Sequence, residues 1–138
     1  FWGDRHYAIF MGPERAVRMS PTGDALRCNL PFTLHNDTFV TPIDPLLLVW
    51  SAVNRLSYGG RDLGKAEQGI PVLEALKGIT INAARQGFEE GVKGSIEPGK
   101  FADFVVLDEN PLAVDPMHLK DIEIAATIVG DVLAYGAL

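Results

Sequence analysis

From Leu46 to Val53 nearly every position is apolar: Leu46, Leu47, Leu48, Val49, Trp50, Ala52 and Val53. Asp44 ahead of this run is a good N-cap, and Pro45 suits the first helical position. The pattern predicts a helix over 46–56. Apolar residues on so many sides leave no single wet face, so the helix is expected to be buried on most of its circumference. A domain this small would need more chain to cover it. Further on, Val72, Leu76 and Ile79 recur at i, i+4 and i+7, with Leu73 and Ala83 beside the stripe. Pro71 opens this second helix and Gly87 is expected to end it as the C′ residue. Between the two, Ser57 to Gly69 reads as a loop, broken by Gly59-Gly60, Gly64 and Gly69.

Upstream the pattern is weaker. Phe1 to Phe10 has no clear period. Gly12-Pro13-Glu14-Arg15 reads as a short helix entry, Thr22-Gly23-Asp24 as a turn, and Ala25 to Leu30 as a further helical turn. Phe32-Thr33-Leu34-His35 alternates and predicts a short strand, broken by Asn36-Asp37-Thr38. Past Glu89 the pattern turns to that of strands. Lys93 to Leu107 reads as two short strands, with Ile96 in the first. Pro98-Gly99 supplies a type II turn between them. Phe101 to Leu107 is almost wholly apolar, interrupted by Asp103, and its Val105-Val106 pair favours a strand. A one-turn helix is expected near Pro116 to Lys120, a strand over Ile124 to Val129, and a Gly130-Asp131 hairpin turn into Val132 to Tyr135. The order is helix, strand, helix, helix, then four β segments. It suggests the closing βα unit of an α/β domain followed by an antiparallel β piece, joined near Glu89.

Composition narrows the partners. A net charge of −6 over 138 residues argues against nucleic acid and against an anionic membrane surface. No apolar run approaches the ~20 residues of a membrane span. Cys28 stands alone, which rules out an internal disulfide framework and a cysteine metal cluster and agrees with a reducing cytoplasm. The chain opens on Phe1 without a signal-like segment, and the start reads as a cut through a longer protein.

Chemistry concentrates at Asp37. It lies at the carboxyl end of the strand that feeds the apolar helix, the place where catalytic residues gather in a (β/α)8 barrel. A carboxylate there can bind a divalent ion and take a proton from metal-bound water. The same Asn-Asp-Thr also suits an ordinary turn with side chains bonded to their own backbone. His35 either lines the pocket beside Asp37 or is a plain strand residue. His6 either contacts substrate from a loop or is solvated. Arg15 and Arg18, three apart, read better as a solvated face than as a carboxylate clamp. Cys28 reads as a small hydrophobe, Trp2 and Trp50 as core or contact residues, and Asp103 as a buried, hydrogen-bonded carboxylate that fixes the hairpin in place. His118 has no assigned role.

Several segments carry a resemblance. GSIEPGKFADFVVL, residues 94–107, resembles a signature of the amidohydrolase superfamily that belongs to a small β-sandwich beside the metal-bearing barrel. HNDTFVTPIDPLLLVWSAVNR, residues 35–55, resembles the eighth strand and following helix of the amidohydrolase-3 branch, with Phe39 where the branch often has Pro. GITINAARQGF, residues 78–88, resembles its final barrel helix, and Ile124 to Tyr135 its closing strands, with Asp131 in place of a Gly. Trp2-Gly3-Asp4-Arg5-His6 resembles the loop after the seventh strand in one subgroup.

The resemblance implies an α/β fold: the C-terminal portion of a (β/α)8 TIM-type barrel over residues 1–88, plus part of a small β-sandwich over 89–138. It implies a parent enzyme hydrolysing C–N bonds of a small amide-like substrate by metal-activated water. Asp37 would be metal ligand and proton shuttle, zinc the expected ion, and His35 and His6 substrate contacts. The family's His-x-His pair is absent, since His6, His35 and His118 include no i, i+2 pair. The isolated chain is therefore expected to hold no metal tightly, to be inactive, and to self-associate through uncovered edges and apolar faces. A rival expectation is a non-catalytic binding or regulatory module that keeps the sandwich without a metal site.

Overall fold

A computed structural model describes residues 1–137. Along it run α1 (Gly3–Arg5), continuing into a π-helical turn at His6–Phe10, then α2 (Pro13–Ala16), α3 (Thr22–Arg27), α4 (Pro45–Asn54), α5 (Lys65–Gln68), α6 (Val72–Ile79) and α7 (Ile81–Gln86). After them come β1 (Phe104–Leu107), a 3₁₀ turn at Pro116–Asp121, β2 (Ile124–Val129) and β3 (Val132–Gly136). The result is a helical region beside a small antiparallel sheet. No helix among the described residues is long and apolar enough to cross a membrane.

α4 starts where local chemistry directs. The Asp44 side chain accepts a hydrogen bond from Leu47 N (3.0 Å), and Pro45 takes the first position. Leu46, Val49, Trp50, Ala52 and Val53 are buried in one core with Ile70, Ala75, Leu119 and Ile122. Two polar side chains of α4 fasten the 3₁₀ turn to it. Trp50 Nε1 donates to Met117 O (3.0 Å), and the fully buried Asn54 donates from Nδ2 to Pro116 O (2.8 Å). Leu47 and Leu48 stay half-buried, on a side of the helix that borders an open cleft.

The sheet has the order β1-β2-β3, antiparallel throughout, with Val105 opposite Thr127 and Thr127 opposite Tyr135. Gly130 and Asp131 both take positive φ (56° and 68°), the backbone of a primed hairpin turn that matches strand twist. The Asp103 carboxylate accepts from Gly130 N (2.8 Å), and Ala102 O accepts from Asp131 N (3.2 Å), so residues preceding β1 clasp that turn. All of β3 is exposed, Val132 and Tyr135 among it.

Several expectations are corrected. Phe32–His35 is not a strand: no described segment supplies a ladder partner, and Leu34 N donates instead to Gly78 O (3.2 Å) at the end of α6. Ile96 lies in no strand either and is 82% exposed; of the predicted hairpin, the Glu97–Lys100 turn and β1 form. Gly99 takes φ 92° there, as a type II turn requires. The helix expected from Pro71 to Gly87 is two helices, split at Thr80 (φ −124°, ψ −99°), whose hydroxyl donates back to Leu76 O. The positive φ beyond α7 falls on Phe88 (59°), not on Gly87. Thr22-Gly23-Asp24 is the first turn of α3 rather than a loop turn. The Thr22 hydroxyl donates to Gln68 O (2.8 Å), and Gln68 Oε1 accepts from Asp24 N (3.1 Å). Gln68 ends α5, a helix inside the stretch expected to be loop. Asp103 is exposed and clasps the β2–β3 turn rather than lying buried.

Candidate functional site

The segment ahead of α4 folds around Asn36. Its Nδ2 donates to Pro42 O (2.8 Å) and Asp44 O (3.3 Å), and its carbonyl accepts from the Thr41 hydroxyl. Asn36 thus takes the side-chain-to-backbone bonds that hold this loop. Asp37 turns the chain with φ 55°, its carbonyl accepting from Val40 N (2.7 Å). Its carboxylate is exposed and makes no hydrogen bond or ion pair among the described residues. Beyond it Phe39, Val40 and Ile43 stand exposed, Phe39 completely.

Next to this loop opens a cleft of about 1030 Å³. It is lined by Asn36 and Thr41 of this loop, by Leu47, Leu48 and Trp50 of α4, and by Trp2, His6 and Tyr58. The structure therefore brings His35 and His6 to one cleft but does not place Asp37 among its lining residues; Asn36, the residue before it, lines the cleft instead. His35 is exposed. His6 is half-buried, its ring 5.8 Å from that of Phe10, and its Nδ1 is buried without a hydrogen-bond partner. Such an atom carries a desolvation cost that a ligand or a further segment would relieve.

Two polar constructions that sequence reasoning missed shape this cleft. Arg55, which caps α4 with φ 53°, is buried and spreads its guanidinium over three carbonyls: Leu63 (3.3 and 3.0 Å), Ser20 (3.2 Å) and Met19 (2.6 Å). Burial draws its pKa down, opposed by nearby Asp62. The other construction is Asp4, whose carboxylate accepts from Ser57 Oγ (2.8 Å) and Gly59 N (2.9 Å), with Arg61 Nε at 3.4 Å. The Ser57 hydroxyl, the Gly59 amide and Arg61 hold its carboxyl below the ordinary range. Gly3 fits this joint closely, since a Cβ there would lie 2.5 Å from Leu63 Cδ1. No residue-level signal marks either role, because the partners lie far along the chain.

Arg15 donates from Nε to Met11 O (2.9 Å) and Arg18 Nη2 lies 3.9 Å from Asp24 Oδ2, both on the exposed surface. Cys28 is exposed, not the buried hydrophobe expected. Trp50 belongs to the core and Trp2 stands 41% exposed at the cleft. As to metal, no group of three or more His, Cys, Asp or Glu among the described residues stands close enough to hold an ion. The donors present do not make a metal site by themselves; Asp37 offers one carboxylate and no more.

The amidohydrolase family model matches residues 1–135. A Bacillus subtilis protein named amidohydrolase YtcJ is 37% identical over 103 residues, which is 72% of this chain and 19% of that protein. N-substituted formamide deformylase of Arthrobacter pascens is 29% identical over 135 residues, 97% of this chain and 24% of the enzyme. Among solved structures, a metal-dependent hydrolase from Pyrococcus horikoshii superposes with a TM-score of 0.67 at 27% identity, covering 83% of this chain and 24% of that one. The chain thus spans about a fifth to a quarter of the length of these relatives.

Proposed function

The chain belongs to the amidohydrolase family, and on that premise we propose that it is the C-terminal part of a metal-dependent enzyme that hydrolyses C–N bonds of small amide-like molecules by metal-activated water. The observation that carries this reading is the Asp37 carboxylate, exposed and unbonded among the described residues while Asn36 takes the bonds of the turn. A structural turn residue would be spent on its own backbone. A carboxylate left free is available to an ion and to a proton. In the parent protein Asp37 would contribute one ligand to a divalent ion, zinc by our reading, whose chemistry when bound would be to make a water acidic enough to react near neutral pH. The Asp37 carboxylate would hold a proton and give it toward the leaving nitrogen. His35 and His6 contact the substrate from the cleft.

The architecture that fits this role is a (β/α)8 barrel contributing residues 1–88 and a β-sandwich contributing 89–138. Phe32–His35 then becomes a strand once neighbouring barrel strands are present to pair with it. The isolated chain lacks the other ligands, so we propose that it is inactive and that its uncovered apolar faces lead it to self-associate. We place the protein in the cytoplasm, which suits its lone Cys28.

The test is an assay of the full-length protein against formamides and other simple amides, before and after chelation. Hydrolysis that is lost on chelation and returns with zinc supports the proposal. Hydrolysis untouched by exhaustive chelation, or none of any amide, counts against it.

A further inference from the structure

We propose that Asp4, Ser57 and Arg61 form a latch that holds the His6 imidazole at the edge of the cleft, which makes Asp4 a positioning residue for the substrate. This rests on the reading above in which His6 contacts an amide substrate. Asp4 and Tyr7 flank His6 at two residues before and one after, and both are gripped by the same arginine. Arg61 Nε lies 3.4 Å from Asp4 Oδ1, and its guanidinium sits 4.3 Å from the centroid of the Tyr7 ring. Ser57, 2% exposed, ties Asp4 to the Arg61 backbone: its hydroxyl donates to Asp4 Oδ1 (2.8 Å), and its Oγ accepts from Arg61 N (3.0 Å). Gly59 N closes the ring on Asp4 Oδ2 (2.9 Å). The His6 amide is fixed as well, donating to Trp2 O (3.1 Å).

The ion pair at the centre of this arrangement adds little stability. The Asp4 and Arg61 side chains are 41% and 47% exposed, and pairs of that kind contribute little. What three convergent contacts on one carboxylate achieve is orientation. Between the two gripped residues lies His6, which carries the one buried side-chain polar atom without a partner among the described residues, Nδ1. An imidazole has two nitrogens, and the one left facing the cleft can accept from an amide N–H or donate to an amide carbonyl, so it suits either half of the bond to be cut.

The experiment uses the full-length protein with a simple amide that it hydrolyses. His6→Ala and Asp4→Asn are compared singly and together; Asn is chosen because it keeps the shape of the joint, and Ser57→Ala serves as a second latch variant. Each single change is expected to raise KM about five-fold, the worth of one hydrogen bond, with kcat little altered. The double variant should be no worse than His6→Ala. An unchanged KM in both latch variants, or fully additive effects in the double variant, overturns the latch. Independently of activity, the imidazole NMR signals of His6 should shift in Asp4→Asn and stay in place in the remote control Lys93→Ala. An unmoved His6 signal in Asp4→Asn overturns the latch even in an active enzyme. Should the full-length protein hydrolyse no amide, the functional reading fails and the NMR comparison decides the latch alone.

Discussion

Replacing Arg55 with Lys tests whether geometry or charge organises the cleft. Arg55 is 8% exposed and places four hydrogen bonds on three carbonyls, two of them on the buried Leu63. Lysine keeps the positive charge but has no planar fork, so it reaches one of these groups and abandons the rest. The Met19 and Ser20 carbonyls belong to half-buried and exposed residues and can turn to water, whereas Leu63 O is enclosed. Leaving one buried acceptor underserved, together with the loss of charge-assisted bonds, amounts to about 2–3 kcal/mol. The change should appear as local opening, because Arg55 ties the start of α3 and the entry to α5 to the end of α4. Hydrogen exchange read on peptides covering 19–25 and 63–68 should accelerate roughly 30- to 150-fold in Arg55→Lys, while β2 and β3 amides keep their rates. Exchange in those two peptides within about three-fold of the parent chain would refute the claim that the fork, rather than the charge, holds them.

Leu119 is fully buried against α4, so Leu119→Ala should destabilise by about 2–5 kcal/mol and release the 3₁₀ turn, visible as a lowered urea midpoint. Asp4, Asp24 and Glu97 have carboxyl pKa values lowered, chiefly by hydrogen bonds from Ser57, Arg27 and Lys100 respectively. Their folded values lie below their unfolded ones, so their stabilisation is present above the ordinary carboxylate range and is lost as pH falls through the lowered values. Exchange at Gly59 N should therefore quicken, after correction for intrinsic rates, when pH drops well below 4; protection unchanged to pH 2 would contradict this. For the isolated chain, sedimentation at micromolar concentration should show dimers or larger species, since Val132 and Tyr135 on β3 and Phe39 ahead of α4 stand uncovered; a sharp monomer would count against it.

What could be read from residues alone was local chemistry. Asp44-Pro45 starts α4, Pro98-Gly99 makes its turn, and Gly130-Asp131 makes the hairpin, because each signal acts on a backbone within three or four residues of itself. Several readings that needed a distant partner failed. Phe32–His35 has strand character but pairs with nothing described, since a strand exists only in a ladder. Thr80 breaks a periodic apolar stripe that looked continuous, with Asn82 reaching across to Phe32 O just beyond the break. Asp103 looked like a buried carboxylate because its neighbours in sequence are apolar, yet it faces outward to a turn 27 residues away. Arg55, Asn54 and Asp4 are silent for the same reason: their roles come from carbonyls, a hydroxyl and an amide 8 to 62 residues distant. The prominence of Asp37 came from a pattern spanning 35–55. The structure adds to it the way Asn36 spends its own side chain on the loop and leaves the next carboxylate free.

The central claim is that Asp37 belongs to the reacting centre of a metal-dependent hydrolase. The direct measurement is turnover by the full-length protein and its Asp37→Asn variant on an amide that the parent cleaves, at saturating substrate. Removing a proton-transfer group and one metal ligand together predicts a fall in kcat of at least ~10²-fold with the protein still folded. A folded Asp37→Asn variant that retains kcat within about three-fold of the parent would contradict the account.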